Sequence, residues 1–329
     1  MAESLVAHGN ARRRPHLTRG VPMASYWKKL GLVFSASGQT SWLHAYAAVP
    51  IAERIGDSDR YRIYFSSRDA ANRSFTSYVV IDLRHPQRIL DAATAPVLHP
   101  GALGEFDDSG AMATWLATHR GQRFLYYIGW NLGVTVPFRN AIGLAIAAGA
   151  EQPFARHLPG PIVDRSATEP HFCASCCVLP GEDLWRMWYL SCTGWELHDG
   201  KPRHRYHLKY AESDDGIAWR RNGDVAIDYA DAAEYAISRP CVIRDPDRWR
   251  MWYSYRGSAY RIGYAESADG VRWQRLDHLA GIAPSPSGWD SQMIEYPFVF
   301  DHEGERYMLY NGNDYGRSGF GLAVLEHGQ

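Results

Sequence analysis

Short runs dense in aromatic and branched residues recur along the chain, each bounded by turn-forming residues. They are Tyr61-Arg-Ile-Tyr-Phe65, Phe124-Leu-Tyr-Tyr-Ile128, Trp185-Arg-Met-Trp-Tyr189, Trp249-Arg-Met-Trp-Tyr253 and Arg306-Tyr-Met-Leu-Tyr310. Such runs predict strands: aromatic and branched side chains fit a pleated surface, and the stretches are too short for a helical period. Each is followed by a polar loop and a further strand rich in Gly, Ala and Tyr, at 77–82, 141–147, 208–213, 262–267 and 319–325. Each is preceded by an apolar segment anchored at Pro50, Thr114, Cys176, Pro240 or Pro297. Two copies are nearly identical, continuing as Tyr210-Ala-Glu-Ser-Asp-Asp-Gly-Ile-Ala-Trp219 and Tyr264-Ala-Glu-Ser-Ala-Asp-Gly-Val-Arg-Trp273. Their Asp215-Gly216 and Asp269-Gly270 pairs predict tight turns into a fourth, outer strand.

A repeat of about 60 residues with three or four strands and almost no helical periodicity matches a propeller blade. The predicted fold is therefore all-β, a five-bladed β-propeller, with blades at about 30–90, 100–150, 160–222, 228–276 and 286–326. Residues 1–25 read as a disordered leader and 26–329 as a single domain, because no low-complexity linker interrupts the repeats.

Composition narrows the classes of partner. A formal net charge of −1 gives no global field for nucleic acid or an anionic membrane. No apolar run approaches the roughly 20 residues of a membrane span, and the N-terminus lacks the apolar core of a secretory signal. The odd count of five cysteines, with Cys173, Cys176 and Cys177 clustered, predicts buried reduced thiols and a cytoplasmic location. Twelve tryptophans and twenty tyrosines predict cross-strand packing first and stacking platforms for sugar rings or bases second.

The pattern Arg-Met-Trp-Tyr … Tyr-Ala-Glu-Ser-x-Asp-Gly-x-x-Trp resembles the five-bladed propeller glycosidases: the arabinanase/xylosidase, invertase-like and mannoside-phosphorylase-like groups. It is closest to members linked to bacterial polysaccharide or secondary-metabolite biosynthesis. The resemblance spans the whole expected folded chain and implies a central channel, lined by the first strand of each blade, that holds the substrate. It also implies an Asp base in blade one, a helper Asp in blade two and a Glu acid in blade three. Asp108, with Asp107 beside it, matches the helper, and Glu169 in Thr168-Glu-Pro-His171 matches the acid. Blade one departs from the pattern: Ser41-Trp-Leu-His-Ala45 carries His44 where the base belongs.

Counted back from the five anchors, His44, Asp108, Glu169 and Glu234 fall in one column, with Asp290 and Glu295 flanking its fifth position. Carboxylates converging on a channel would raise one another's pKa and keep an acid protonated near neutrality. The competing expectation is that these acids are solvated or paired within the fold. A second column, at the end of the polar loops, holds Arg139, Arg205 and Arg317, with Arg256 and Arg261 nearby in the fourth copy and Arg68 and Arg73 in the first. Guanidinium forks suit carboxylate or phosphate, so an anionic ligand is expected: an acidic sugar, a sugar phosphate or a nucleotide-sugar. Trp130, Asn131 and Trp195, on the long loops of the second and third copies, are candidate sugar contacts. His171, His204 and His207 with Glu169 leave a metal site open, although no cofactor is expected. Three functions compete. One is glycosidic or sugar-phosphate chemistry with Glu169 as acid, Asp108 tuning it, and His44, Glu234 or Glu295 activating the nucleophile. Another is a catalytically retired module binding a glycan or partner, and the third is metal-assisted or other biosynthetic chemistry.

Overall fold

The computed structural model describes residues 25–38 and 40–327, so the expected leader lies outside the described residues except for Ser25. The chain is built almost wholly of strands. An opening strand β1 (Ser25–Phe34) is followed by four antiparallel ladders. These are β2 (Ala45–Arg54), β3 (Arg60–Arg68), β4 (Ser74–Asp82) and β5 (Ile89–Ala92); β6 (Gly110–His119), β7 (Gln122–Leu132), β8 (Phe138–Ala147) and β9 (Ala155–Arg156); β10 (Cys173–Leu179), β11 (Trp185–His198), β12 (Lys201–Ser213) and β13 (Val225–Ile227); and β14 (Ala236–Arg244), β15 (Trp249–Arg256), β16 (Tyr260–Ser267) and β17 (Gln274–Arg275). Strands β18 (Glu295–His302), β19 (Glu305–Asn311) and β20 (Phe320–His327) complete the chain. Their ladder is closed by β1, which pairs with β20 across the two ends of the chain. Residues 30–34, expected to open the first repeat, thus belong to the last ladder.

The first strands touch one another in the order β2, β6, β10, β14, β18 and back to β2. The aromatic runs read from the sequence occupy the second strand of each ladder. The alignment column Gly143, Lys209, Gly263 and Gly321 lies opposite Tyr127, Tyr189, Tyr253 and Tyr310. In the second and fourth ladders the tyrosine ring lies over the glycine: a Cβ at Gly143 or Gly263 would come within 2.2 or 2.6 Å of it, whereas the third ladder admits Lys209.

The anchors mark a bulge shared by the first strands. Val49, Arg239 and Tyr296, each preceding a proline, hold φ near +57°, +53° and +56°. For a branched or bulky residue this left-handed region is strained. An oxygen from an adjoining ladder holds each N–H there: Asn311 Oδ1 for Val49 (2.8 Å), Ser175 Oγ for Arg239 (3.1 Å) and Ser254 Oγ for Tyr296 (2.7 Å). Seams between ladders are tied similarly by Trp115 Nε1 donating to Val178 O, Tyr126 Oη to Gly216 O and Trp188 Nε1 to Gly270 O. All five cysteines are buried free thiols, and burial pushes Cys173 up to about 12. No helix among the described residues is long and apolar enough to cross a membrane.

Candidate functional site

The acids of the expected column do not line the cavity described below, and in the second ladder it is Asp107, the neighbour of the expected Asp108, that is buried. Asp107, Glu169, Glu234 and Asp290 precede first strands and are 0, 4, 7 and 2% exposed. A cation of the same ladder meets each one, and in three of the four it comes from the outer edge. Arg156 on β9 pairs with Asp107 at 2.8 Å, Arg275 on β17 with Glu234 at 2.7 Å, and Lys29 on β1 with Asp290 at 2.7 Å. Glu169 takes two cations, Lys209 at 2.9 Å and Arg221 at 2.6 Å. The aromatic strand supplies a hydroxyl in two cases: Tyr189 donates to Glu169 at 2.9 Å and Tyr310 to Asp290 at 3.0 Å. We call this recurring acid–cation pairing a clasp. Burial alone would raise Glu169, but its bonds to Lys209 and Tyr189 and the charges of Lys209 and Arg221 hold it below the usual carboxylate range. An acid held ionised by two cations is poorly suited to donate a proton.

The remaining candidates are dispersed. Asp108 accepts from the Gly104 N–H at 3.1 Å and the Ser109 hydroxyl at 3.0 Å, which orders its own loop. His44 is exposed, and His171 is half-buried in the loop before β10; neither lines the cavity described next. Arg139 and Arg317 are exposed, and Arg205 donates to Glu234 O at 3.0 Å and lies over the Tyr229 ring. Asn131 lies opposite Arg139 in the β7–β8 hairpin, and Trp195 packs behind Phe138 and Phe172. The possible histidine metal set does not assemble. His207 bonds Asp228 at 3.1 Å, while His204 stacks on Tyr206 with burial pushing it down to about 4. Among the described residues, the group spaced to hold an ion is Asp59, His302 and Glu303, outside the cavity.

The first strands and the loops at one end of the ring enclose a cavity of about 470 Å³, within the range of small-ligand sites. Of the residues singled out in the sequence, Trp130 and Arg256 line it, as do Arg68 from the first copy's loop and His204 from the possible metal set. Three arginines face it: Arg68 on β3, Arg239 on β14 and Arg256 on β15. Among the described residues none of the three forms an ion pair, and no carboxylate lines the cavity. Arg68 donates to Asn72 Oδ1 at 2.6 Å and lies over the rings of Tyr46 and Trp130. Arg256 donates to the Tyr315 hydroxyl at 2.5 Å and lies among the rings of Tyr235, Tyr260 and Tyr315.

Arg239 is fully buried at the floor. Its guanidinium donates to the carbonyls of Thr114 and Pro50, the latter at 3.0 Å, and lies over Trp115 and Phe298. Those two rings line a separate cavity on the far side, so Arg239 stands between the two. Burial lowers it to about 10, which leaves it cationic at neutral pH. The sequence signal for this residue is a charge inside the apolar run Ala236-Ile-Ser-Arg-Pro-Cys-Val-Ile243.

Glu295, expected to activate a nucleophile, is 0% exposed, and neither carboxyl oxygen forms a well-shaped hydrogen bond. Burial pushes its pKa well up, opposed by the nearby Arg256 charge. Burial thus disfavours the carboxylate form that the expected base would need. The turn beside it carries Asp314 and Tyr315 at φ +57° and +59°, and Tyr315 meets Tyr260 edge-on. The hydroxyls of Tyr206 and Tyr260 bond each other in this wall.

The architecture is that of the glycoside-hydrolase β-propellers. The structure of BT0996 in its RGII complex superposes with a TM-score of 0.68 at 19% identity, covering 92% of this chain and 91% of that one. A glycosyl hydrolase from Bacteroides ovatus gives 0.67 at 16% identity, covering 95% of each chain. A structure from a mannoside-phosphorylase family that contains hydrolases of β-1,2-mannosidic linkages in Candida mannan gives 0.63 at 15%, covering 95% and 96%. No family model matches the chain. Over 302 residues it is 46% identical to the uncharacterized protein MT1551 of Mycobacterium tuberculosis strain CDC 1551 / Oshkosh, and 45% identical to Rv1502 of strain H37Rv. Both alignments cover 92% of this chain and 99% of the relative. The chain belongs to the family of these two mycobacterial proteins.

Proposed function

We propose that this chain is a five-bladed propeller whose channel mouth binds the anionic group of a sugar, a uronate or a sugar phosphate including that of a nucleotide-sugar, without the paired-carboxylate chemistry of the hydrolases that share its fold. Taking each antiparallel ladder as one blade gives five, with β1 closing the last. The observation that carries the binding reading is the set of arginines without carboxylate partners, Arg68, Arg239 and Arg256, around a cavity lined by no carboxylate. Glycoside hydrolysis in this manner needs two carboxyl groups, about 5–5.5 Å apart for retention or about 6.5–9.5 Å apart for inversion. The four clasped acids are each neutralised within their own blade and are unavailable as such a pair. Arg68 and Arg256, each spending one donor on a neutral oxygen and otherwise held by aromatic rings, keep the rest of their forks for an incoming anion, while Arg239, bonded to two carbonyls, adds its charge from the floor.

Calorimetric titration with glucuronate, glucose 1-phosphate and glucose tests this. At least one of the anions should bind, with affinity falling as salt rises, and neutral glucose should bind at least tenfold more weakly. Equal affinity for all three would sink the reading. One observation favours chemistry over binding alone: Glu295 is a buried carboxyl next to the cavity residue Tyr296, and burial pushes it toward the protonated form that a general acid needs. On that second reading the Asp314–Tyr315 turn moves to expose it, and Glu295→Gln abolishes turnover while leaving anion affinity intact; unchanged turnover would remove Glu295 as the acid.

A further inference from the structure

The cavity is divided chemically, and the division follows the ladders. Arg68, Arg239, Arg256, Tyr260 and Tyr296 come from the first, fourth and fifth ladders. The wall supplied by the second and third is mostly apolar, with Met112, Ile128, Leu132, Phe138, Phe172 and Leu190, although Asn140, Ser175, His204 and Tyr206 also lie on it.

That apolar wall continues past the mouth. Leu132 and Phe138 are partners across the β7–β8 hairpin; Leu132 is 74% exposed, and Val134 in the turn is fully exposed. In the neighbouring β11–β12 hairpin, Trp195 packs on Phe138 at 5.5 Å and on Phe172 at 5.7 Å. Leu197, two residues along the strand and so on the same face, is 78% exposed. A scattered exposed leucine is ordinary, but exposed apolar groups on two adjoining hairpins that extend an apolar cavity wall indicate a binding surface. A bare sugar anion would occupy the arginine side and leave this wall in water.

We propose that the ligand is amphipathic, an anionic sugar or phosphate covalently joined to a hydrophobic group. Arg68 and Arg256 hold the anion, and the hydrophobic part lies along Phe172, Phe138 and Leu132 toward Leu197. This rests on the anion-binding reading above and adds a tail to it. Charge on one wall and hydrocarbon on the other select a ligand carrying both, whereas a protein surface would not reach the buried arginine floor.

The test is a titration series of methyl, butyl, hexyl and octyl β-D-glucuronides, and of the same four monoalkyl phosphates, each below its micelle-forming concentration. In whichever series binds, affinity should rise about fourfold per added methylene until the wall is filled, from about 0.8 kcal/mol per buried CH₂. The Leu132→Ser/Val134→Ser/Leu197→Ser variant should show a shallower slope. Binding with a flat dependence on chain length, or a slope unchanged in the variant, overturns the amphipathic ligand and leaves the anion site standing. No binding in either series at any chain length overturns both. If sedimentation shows that the wild type self-associates through these side chains and the variant does not, the wall is an interface between copies and the proposal falls.

Discussion

The clasps and the channel mouth use the same residue types to opposite ends. In the clasps a buried acid in a loop meets a half-buried lysine or arginine of its own ladder. At the mouth, arginines lie on tyrosine and tryptophan rings with no acid among the described residues lining the cavity, and burial pushes the nearby Glu295 toward its neutral form. The clasp recurs from ladder to ladder because it fastens a repeated unit. Arg239 and Glu295 each occur once, at positions where the other ladders place uncharged residues such as Val49, Ser175 and Ser238. The mouth combines these two singular residues with Arg68 and Arg256, which recur at the same register of the first and fourth ladders, so it is the lack of a carboxylate partner that sets the mouth arginines apart from the clasps.

The largest effect should come from breaking a clasp. Glu169→Gln leaves the half-buried Lys209 and Arg221 without their counter-charge; loss of one partner of a fully buried pair costs about 3–5 kcal/mol, and the loss here should approach the lower end of that range. Urea unfolding at pH 7 should show that loss. A variant as stable as wild type would mean that the acid is not structural. Next in size, Arg256→Met should weaken anion binding by about 10- to 100-fold, the worth of one or two hydrogen bonds to a charged group at about 1.5–3 kcal/mol. The unfolding midpoint should move little, because no ion pair is lost; a collapse in stability would make Arg256 scaffold.

Glu295 offers a smaller effect with a sign. Its pKa is raised in the folded state, so the folded protein incurs an increasing penalty as pH climbs above the unfolded value of about 4.3. Glu295→Gln should therefore stabilise the protein at pH 8, by on the order of 1 kcal/mol. Below pH 4, where both states are protonated, the difference should vanish. Glu169 runs the other way: its lowered value gives stability that is present above the unfolded pKa and lost as pH falls through the folded one. Denaturation curves at pH 4 and 8 for wild type and Glu295→Gln check the first trend, and the reverse pH dependence would contradict it. The smallest change is Tyr189→Phe, which removes one hydroxyl from the Glu169 clasp and should cost about 0.5–1.5 kcal/mol in the same urea assay; no loss would assign the clasp to its ions alone.

Much of the fold was legible because strands write their period and their partners into local sequence. The column Gly143, Lys209, Gly263 and Gly321, which emerges when the repeats are aligned, is the actual register opposite the tyrosines. The destination of the acids was not legible. Whether a loop carboxylate faces a channel or turns back into its ladder depends on a cation far away in sequence: Lys29 reaches Asp290 from 261 positions off. The joining of β1 to the last ladder is hidden for the same reason. Arg256 and Trp130 are visible because they sit near loop ends. Arg239 is not, because aligned repeats reveal what recurs, and a lone arginine beside an anchor proline breaks the pattern.

The central claim, that clasp and mouth divide stability from binding, is tested most directly by measuring both properties on Glu169→Gln and Arg256→Met together. Urea unfolding and titration with the tightest-binding anion should give crossed results. Glu169→Gln should lose stability and, where still folded, keep wild-type affinity, while Arg256→Met keeps stability and loses affinity. A Glu169→Gln protein that is fully stable but fails to bind, or to turn over a sugar substrate, would contradict the account and restore Glu169 to the active site.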